Sequence, residues 1–145
     1  MSLPDKSMMR LANVHPDLVM VILRAAENAA QPFIVTEGVR SLERQRILLA
    51  EGKSRTLNSR HLAPLSHAVD LAVCIPGGGV SWERGDYKML AMSVAAAAIE
   101  LGIPIEWGGE CFGPSFVDSC HWQLPWKFYP VPIPNLQPEG EVTRT

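Results

Sequence analysis

Apolar positions recur at helical spacing after Pro16, with Leu18, Val21, Ile22, Ala25 and Ala29 on one face, which predicts an amphipathic helix over 16–30. Phe33-Ile34-Val35-Thr36-Glu37 then reads as a strand running into Gly38 and Arg40. Ser41 is placed to cap a second helix that stops at Gly52. Residues 53–65 are polar, rich in Ser and Arg, and predict a loop. Val69-Asp70-Leu71-Ala72-Val73-Cys74 is β-prone around a single acid, and a glycine turn follows at Pro76-Gly77-Gly78-Gly79. A third helix is predicted over 86–101, ending at Gly102. Its apolar run, 89–103, is too short to span a bilayer and holds Ser93 and Glu100. Ile105-Glu106-Trp107 predicts a short strand, Gly108-Gly109 a sharp reversal, and His121-Trp122-Gln123-Leu124 another alternating strand. From Pro125 onward the chain is Pro-rich and reads as extended coil. Short strands interleaved with helices, without repeat or linker, predict one α+β domain with a small, mainly antiparallel sheet.

Asp70 changes that picture, because a carboxylate inside an apolar strand is costly unless paired or metal-bound. Three segments offer partners for it: Ser59-Arg60-His61, His67-Ala68-Val69-Asp70 and Asp118-Ser119-Cys120-His121-Trp122. Two imidazoles and a carboxylate with an open fourth position suit a catalytic zinc. A further acid nearby, Asp118, suits proton handling in metal-assisted hydrolysis. His-x-x-Asp alone is weak, since Asp often orients a structural His; the joint occurrence of the three segments carries the reading.

In order along the chain, Gly38-Val39-Arg40-Ser41, Ser59-Arg60-His61, His67-Ala68-Val69-Asp70-Leu71, Trp107-Gly108-Gly109 and Asp118-Ser119-Cys120-His121-Trp122 resemble the VanY-type D-alanyl-D-alanine carboxypeptidase family of zinc peptidases. Within it the chain looks most like phage endolysins that cut the L-alanyl–D-glutamate bond of peptidoglycan. The likeness runs over about 11–126, with 127–145 as a tail, and Val14-His15-Pro16-Asp17-Leu18 and Glu43-Arg44-Gln45 share in it. It implies a hedgehog/DD-peptidase-like fold and one zinc per chain, held by His61, Asp70 and His121. It makes Asp118 the general base and acid, and Arg40 the group that holds the carbonyl oxygen as it becomes an oxyanion. Arg40 also reads as an exposed turn residue ahead of a helix. The implied alternatives are a D-alanyl-D-alanine carboxypeptidase and a zinc-stabilised binding module without catalysis. Asp118 and Arg40 together argue against the last.

The chain departs from the family spacing between His61 and Asp70, which is two residues longer and lacks a Gly. His67 is therefore a rival first ligand. We favour His61, with the two extra residues bulging as a Pro-containing loop and His67 supporting a ligand or lining the cleft. Glu106 and Glu110 are rival bases. Trp107 and Trp122 serve equally as core or as substrate platforms. Lys53, Arg55 and Arg60 fall in the polar loop and read as solvated, which leaves no buried cation for a terminal carboxylate and favours an endopeptidase.

Composition adds exclusions. A chain of 145 residues with 47% hydrophobic and 19% charged residues can build one core without staples. A net charge of −2 gives no basic footprint for nucleic acid. Cys74, Cys111 and Cys120 are odd in number and irregularly spaced, so they read as buried, reduced thiols. The first residues lack the basic start and apolar core of a secretory signal. With the resemblance, this implies a monomer acting on peptidoglycan stem peptides, with neither nucleic acid nor membrane as partner. It would be held in the host cytoplasm until a separate membrane lesion releases it to the wall.

Overall fold

The computed structural model describes residues 2–114 and 117–131. The chain forms α1 (Asp5–Arg10), α2 (Pro16–Asn28), β1 (Phe33–Glu37), α3 (Leu42–Ala50), β2 (Ala68–Val73), α4 (Arg84–Leu101), β3 (Glu106–Trp107) and β4 (His121–Gln123). All strand pairs are antiparallel, in the order β1-β2-β4-β3. This is the α+β architecture expected, and most predicted elements fall within a few residues of their positions. Ser41 Oγ accepts from the Arg44 N–H at 3.1 Å and starts α3. Gly102 ends α4 with φ of 69°, a left-handed stop that suits glycine.

Alternation along the strands divides the sheet into two faces. Phe33, Val35, Val69, Leu71, Val73 and Trp122 enter a core completed by Leu18, Val21 and Ile22 of α2 and by Leu90, Val94 and Ala98 of α4. Trp107 and Trp122 stack within this layer at 5.7 Å between centroids, Trp122 buried in the core and Trp107 packed against it, and neither lines the cleft that holds Asp70. The opposite face carries Asp70, His121 and Gln123.

The register of β1 shifts by one residue between Val35 and Glu37: Val35 pairs with Leu71, and Glu37 with Asp70. Thr36 is the additional residue, and its hydroxyl donates to the Asp70 carbonyl at 3.2 Å. An unbroken register would have put Thr36 opposite Asp70; the shift puts Glu37 there instead.

Helix α1 is an addition to the expected elements. Ser7 Oγ accepts from the Val35 N–H at 2.9 Å, and Arg10 Nη1 donates to the Val35 carbonyl at 3.0 Å. The free edge of β1 is thereby covered. After β4, residues 126–128 turn rather than extend, and Tyr129 Oη donates to Asp17 Oδ2 at 2.7 Å. The tail expected over 127–145 lies outside the described residues from 132 onward. Among the described residues no helix is long and apolar enough to cross a membrane.

Candidate metal and catalytic site

Asp70 and His121 are Cα partners across the β2–β4 ladder. His61 reaches them from the long loop, which is tied down locally: Arg40 N–H donates to the His61 carbonyl at 2.7 Å, and Ala63 N–H to the Arg40 carbonyl at 2.8 Å. Three donor atoms converge. His61 Nε2 is 3.2 Å from Asp70 Oδ1 and 3.2 Å from His121 Nδ1, and His121 Nδ1 is 3.3 Å from Asp70 Oδ1. The cluster lies on the face of the two central strands.

The remaining nitrogen of each imidazole has an oxygen partner. His61 Nδ1 is 2.8 Å from the Gly38 carbonyl, an acceptor only, so the ring proton belongs on Nδ1 and Nε2 keeps its lone pair. His121 Nε2 is 2.7 Å from Gln123 Oε1, which leaves Nδ1 free in the same sense. Two neutral imidazoles with lone pairs turned toward a carboxylate form a donor set that fits zinc. The residues are held for that role from behind. Burial alone would raise the Asp70 carboxyl pKa, but His61 and His121 beside it outweigh burial and hold it below the usual range. Burial works against the charged form of His121, and Asp70 reverses that, so its pKa is raised.

Asp118 enters the same cleft, about 200 Å³ in volume, together with Glu37, Arg40 and Phe112. Burial and the charge of Asp70 raise its pKa, while His121 and His61 pull the other way. An acid displaced toward neutrality suits proton transfer. Its spacing from His121 is set by Gly108, whose N–H donates to the His121 carbonyl at 2.7 Å and whose carbonyl accepts from Asp118 N–H at 2.8 Å. A Cβ on Gly108 would collide with the Asp118 carbonyl and lie 2.9 Å from His121 Cβ. Glu106 and Glu110 do not line this cleft.

Arg40 is not the exposed turn residue of the plainer reading. Only 9% of it is exposed, and its Nε and Nη2 bind Glu37 bidentately at 2.9 and 2.7 Å. Nη1 donates to Gln45 Oε1 at 2.8 Å, and Gln45 Nε2 in turn donates to the Thr56 carbonyl at 2.6 Å. Nη2 stands 3.8 Å from Asp70 Oδ2. Glu37 and Gln45 were not singled out in the sequence, although Gln45 sits in a family-like segment and Glu37 is the only acid in its strand.

Several expectations need correction. Arg60 is 2% exposed, not solvated: its Nε and Nη2 donate to the Leu124 carbonyl at 3.0 and 2.7 Å, and its guanidinium lies 4.2 Å over the Trp126 ring. Lys53 and Arg55 are exposed, as expected, yet they form part of the cleft wall. His67 neither touches the cluster nor lines its cleft; it lies 5.3 Å from the His15 ring in a separate cavity of about 510 Å³ with Arg60 and Trp126. Cys111 is exposed and Cys74 and Cys120 are half-buried, although all three are free thiols. Burial, with Asp118 and Asp70 nearby, pushes the Cys120 thiol up to about 11, so it stays protonated and is a poor metal ligand.

Against known proteins, residues 1–119 match the family described as phage L-alanyl-D-glutamate peptidase. The chain belongs to that family. Among solved structures, it is similar to the Serratia marcescens L-Ala D-Glu endopeptidase ChiX, at 44% identity and a TM-score of 0.81. The match covers 90% of this chain and 95% of that one. A search of curated protein sequences gives no match. The VanY-type likeness seen in the sequence agrees with membership of this peptidase family.

Proposed function

We propose that this chain is a zinc-dependent endopeptidase that hydrolyses the L-alanyl–D-glutamate bond of peptidoglycan stem peptides. The convergence of three lone-pair donors beside Asp118, in a chain of this peptidase family, carries the reading. His61, Asp70 and His121 would hold the ion, which supplies Lewis acidity and makes water acidic enough to react near neutral pH. Asp118 would act as the base that takes a proton from the attacking water and as the acid that returns it to the departing D-glutamate nitrogen. Its raised pKa brings acceptance and release closer in energy. Arg40 stands beside Asp70 with its fork preset by Glu37 and Gln45, and two of its five N–H remain outside those bonds. It stabilises negative charge developing on the scissile carbonyl oxygen.

The chain acts at the cell wall, reached from the host cytoplasm through a separate membrane lesion, and works as a monomer. Mass spectrometry of digested peptidoglycan tests the substrate. New D-glutamate amino termini, with D-alanyl-D-alanine ends intact, are expected. Free D-alanine without those termini would make the chain a carboxypeptidase instead.

A further inference from the structure

The side of His121 turned away from Asp70 carries a chain of hydrogen bonds that the reaction itself does not use. His121 Nε2 meets Gln123 Oε1 at 2.7 Å, and Gln123 Nε2 donates to Glu106 Oε1 at 2.9 Å. The sheet lines up these groups. Residues two apart on β4 share a face, and Glu106 is the Cα partner of Gln123 across the β3–β4 ladder. On the other face, the stacked Trp107 and Trp122 belong to the same register. Gln123 is 2% exposed, so both ends of its amide depend on protein partners.

A primary amide can sit either way round. With its oxygen toward the imidazole, His121 carries its proton on Nε2 and offers the Nδ1 lone pair to the cluster. With its NH2 toward the imidazole, the proton moves to Nδ1 and the ligand atom is lost. An ionised carboxylate only accepts hydrogen bonds, so Glu106 tolerates only the NH2 end of Gln123. We infer that Glu106 is a positioning residue, acting through Gln123 to hold His121 as the Nε2–H tautomer and keep Nδ1 available to a metal ion. The inference rests on the zinc site proposed above and adds what sets the competence of its third ligand. It also gives Glu106 a role other than the base for which it was a rival.

The test uses Glu106→Leu, Gln123→Leu and Glu106→Gln. The first removes the acceptor and the second removes the relay. The third keeps the size and one oxygen but adds a donor, so either end of the Gln123 amide can face it. Chelator competition should give a zinc affinity 10–100-fold weaker for both Leu variants, in the range usual for partners behind a ligand, and a smaller loss for Glu106→Gln. Nitrogen-15 NMR of the metal-free protein at alkaline pH should find His121 as Nε2–H in wild type, with an Nδ1–H population in Glu106→Leu and in Glu106→Gln. Should Leu at 106 unfold the chain, Glu106→Val, better suited to a strand, takes its place. An Nε2–H tautomer retained in Glu106→Leu overturns the inference, whether zinc affinity falls or not. Wild-type protein that binds no zinc would sink the metal reading instead, and the tautomer measurement would still decide the role of Glu106.

Discussion

Asp70 and His121 face each other across one antiparallel ladder, and that pairing brings Oδ1 and Nδ1 to 3.3 Å. Two of the three proposed ligands therefore depend on sheet register, and the third, His61, on a loop tied to Arg40. Ligand loss can be tested at each. His61→Ala should lose zinc, while His67→Ala should keep it. Zinc bound by wild type should weaken as pH falls and the imidazoles protonate. Metal analysis of purified variants checks this, and a zinc-free His67→Ala beside a zinc-loaded His61→Ala reverses the assignment.

Asp118→Asn preserves shape but cannot accept the proton. It should retain fold and metal while turnover falls by roughly 10²–10⁴. Kinetics on a soluble stem peptide, alongside zinc content, separate this from a collapsed site; near-normal turnover would remove Asp118 from the mechanism.

Arg40→Lys keeps a charge but loses the planar fork that Glu37 and Gln45 grip. The expected loss is on the order of 10²–10³ in kcat, with KM little changed, as for an oxyanion donor. A change confined to KM would make Arg40 a binding residue.

His67 adds a pH dependence to stability. Burial, then the charge of Arg60 and the nearby His15, lower its pKa from 6.5 to about 4. Between those values the unfolded chain binds more protons than the folded one, so stability falls as pH drops from 6.5 to about 4 and levels off below. The effect is no more than about 3 kcal/mol. His67→Gln should flatten that acid limb in denaturant titrations. An unchanged slope would place the titration elsewhere.

Lys53 and Arg55 form part of the cleft wall. A D-glutamyl residue uses one carboxyl group to continue the stem, and the other remains an anion beside the scissile nitrogen. Replacing both cations with Gln should raise KM by a few-fold at low salt, consistent with exposed pairs worth up to about 1 kcal/mol. The same change should do little for a substrate whose free carboxylate is amidated. Equal effects on the two substrates would detach the cations from that anion.

Which parts of this were legible beforehand follows from the range of the interactions involved. Ser41 and Gly102 announce helix ends through their own backbone chemistry, and Asp70 stands out because an apolar strand surrounds it. His61 and His121 were found through the ordered motifs. Arg60 was misread because its partner, the Leu124 carbonyl, lies 64 residues away and backbone oxygens leave no trace in sequence. Glu37 owes its place to a one-residue shift in pairing that no side-chain pattern signals. The six-residue α1 is held by Ser7 and Arg10 against β1, not by a periodic apolar face of its own. His67 was drawn toward the site by sequence proximity to Asp70, yet its ring sits with His15 in the other cavity.

Gly108 joins Asp118 to His121 through its own backbone, with no room for a side chain. The gap between the proposed proton acceptor and the proposed metal-binding imidazole is thus gauged by a residue that brings no functional group of its own. Chemistry at this site can be retuned by exchanging side chains around the cleft, but its internal ruler cannot be lengthened by a single methyl group without moving acid and ligand apart.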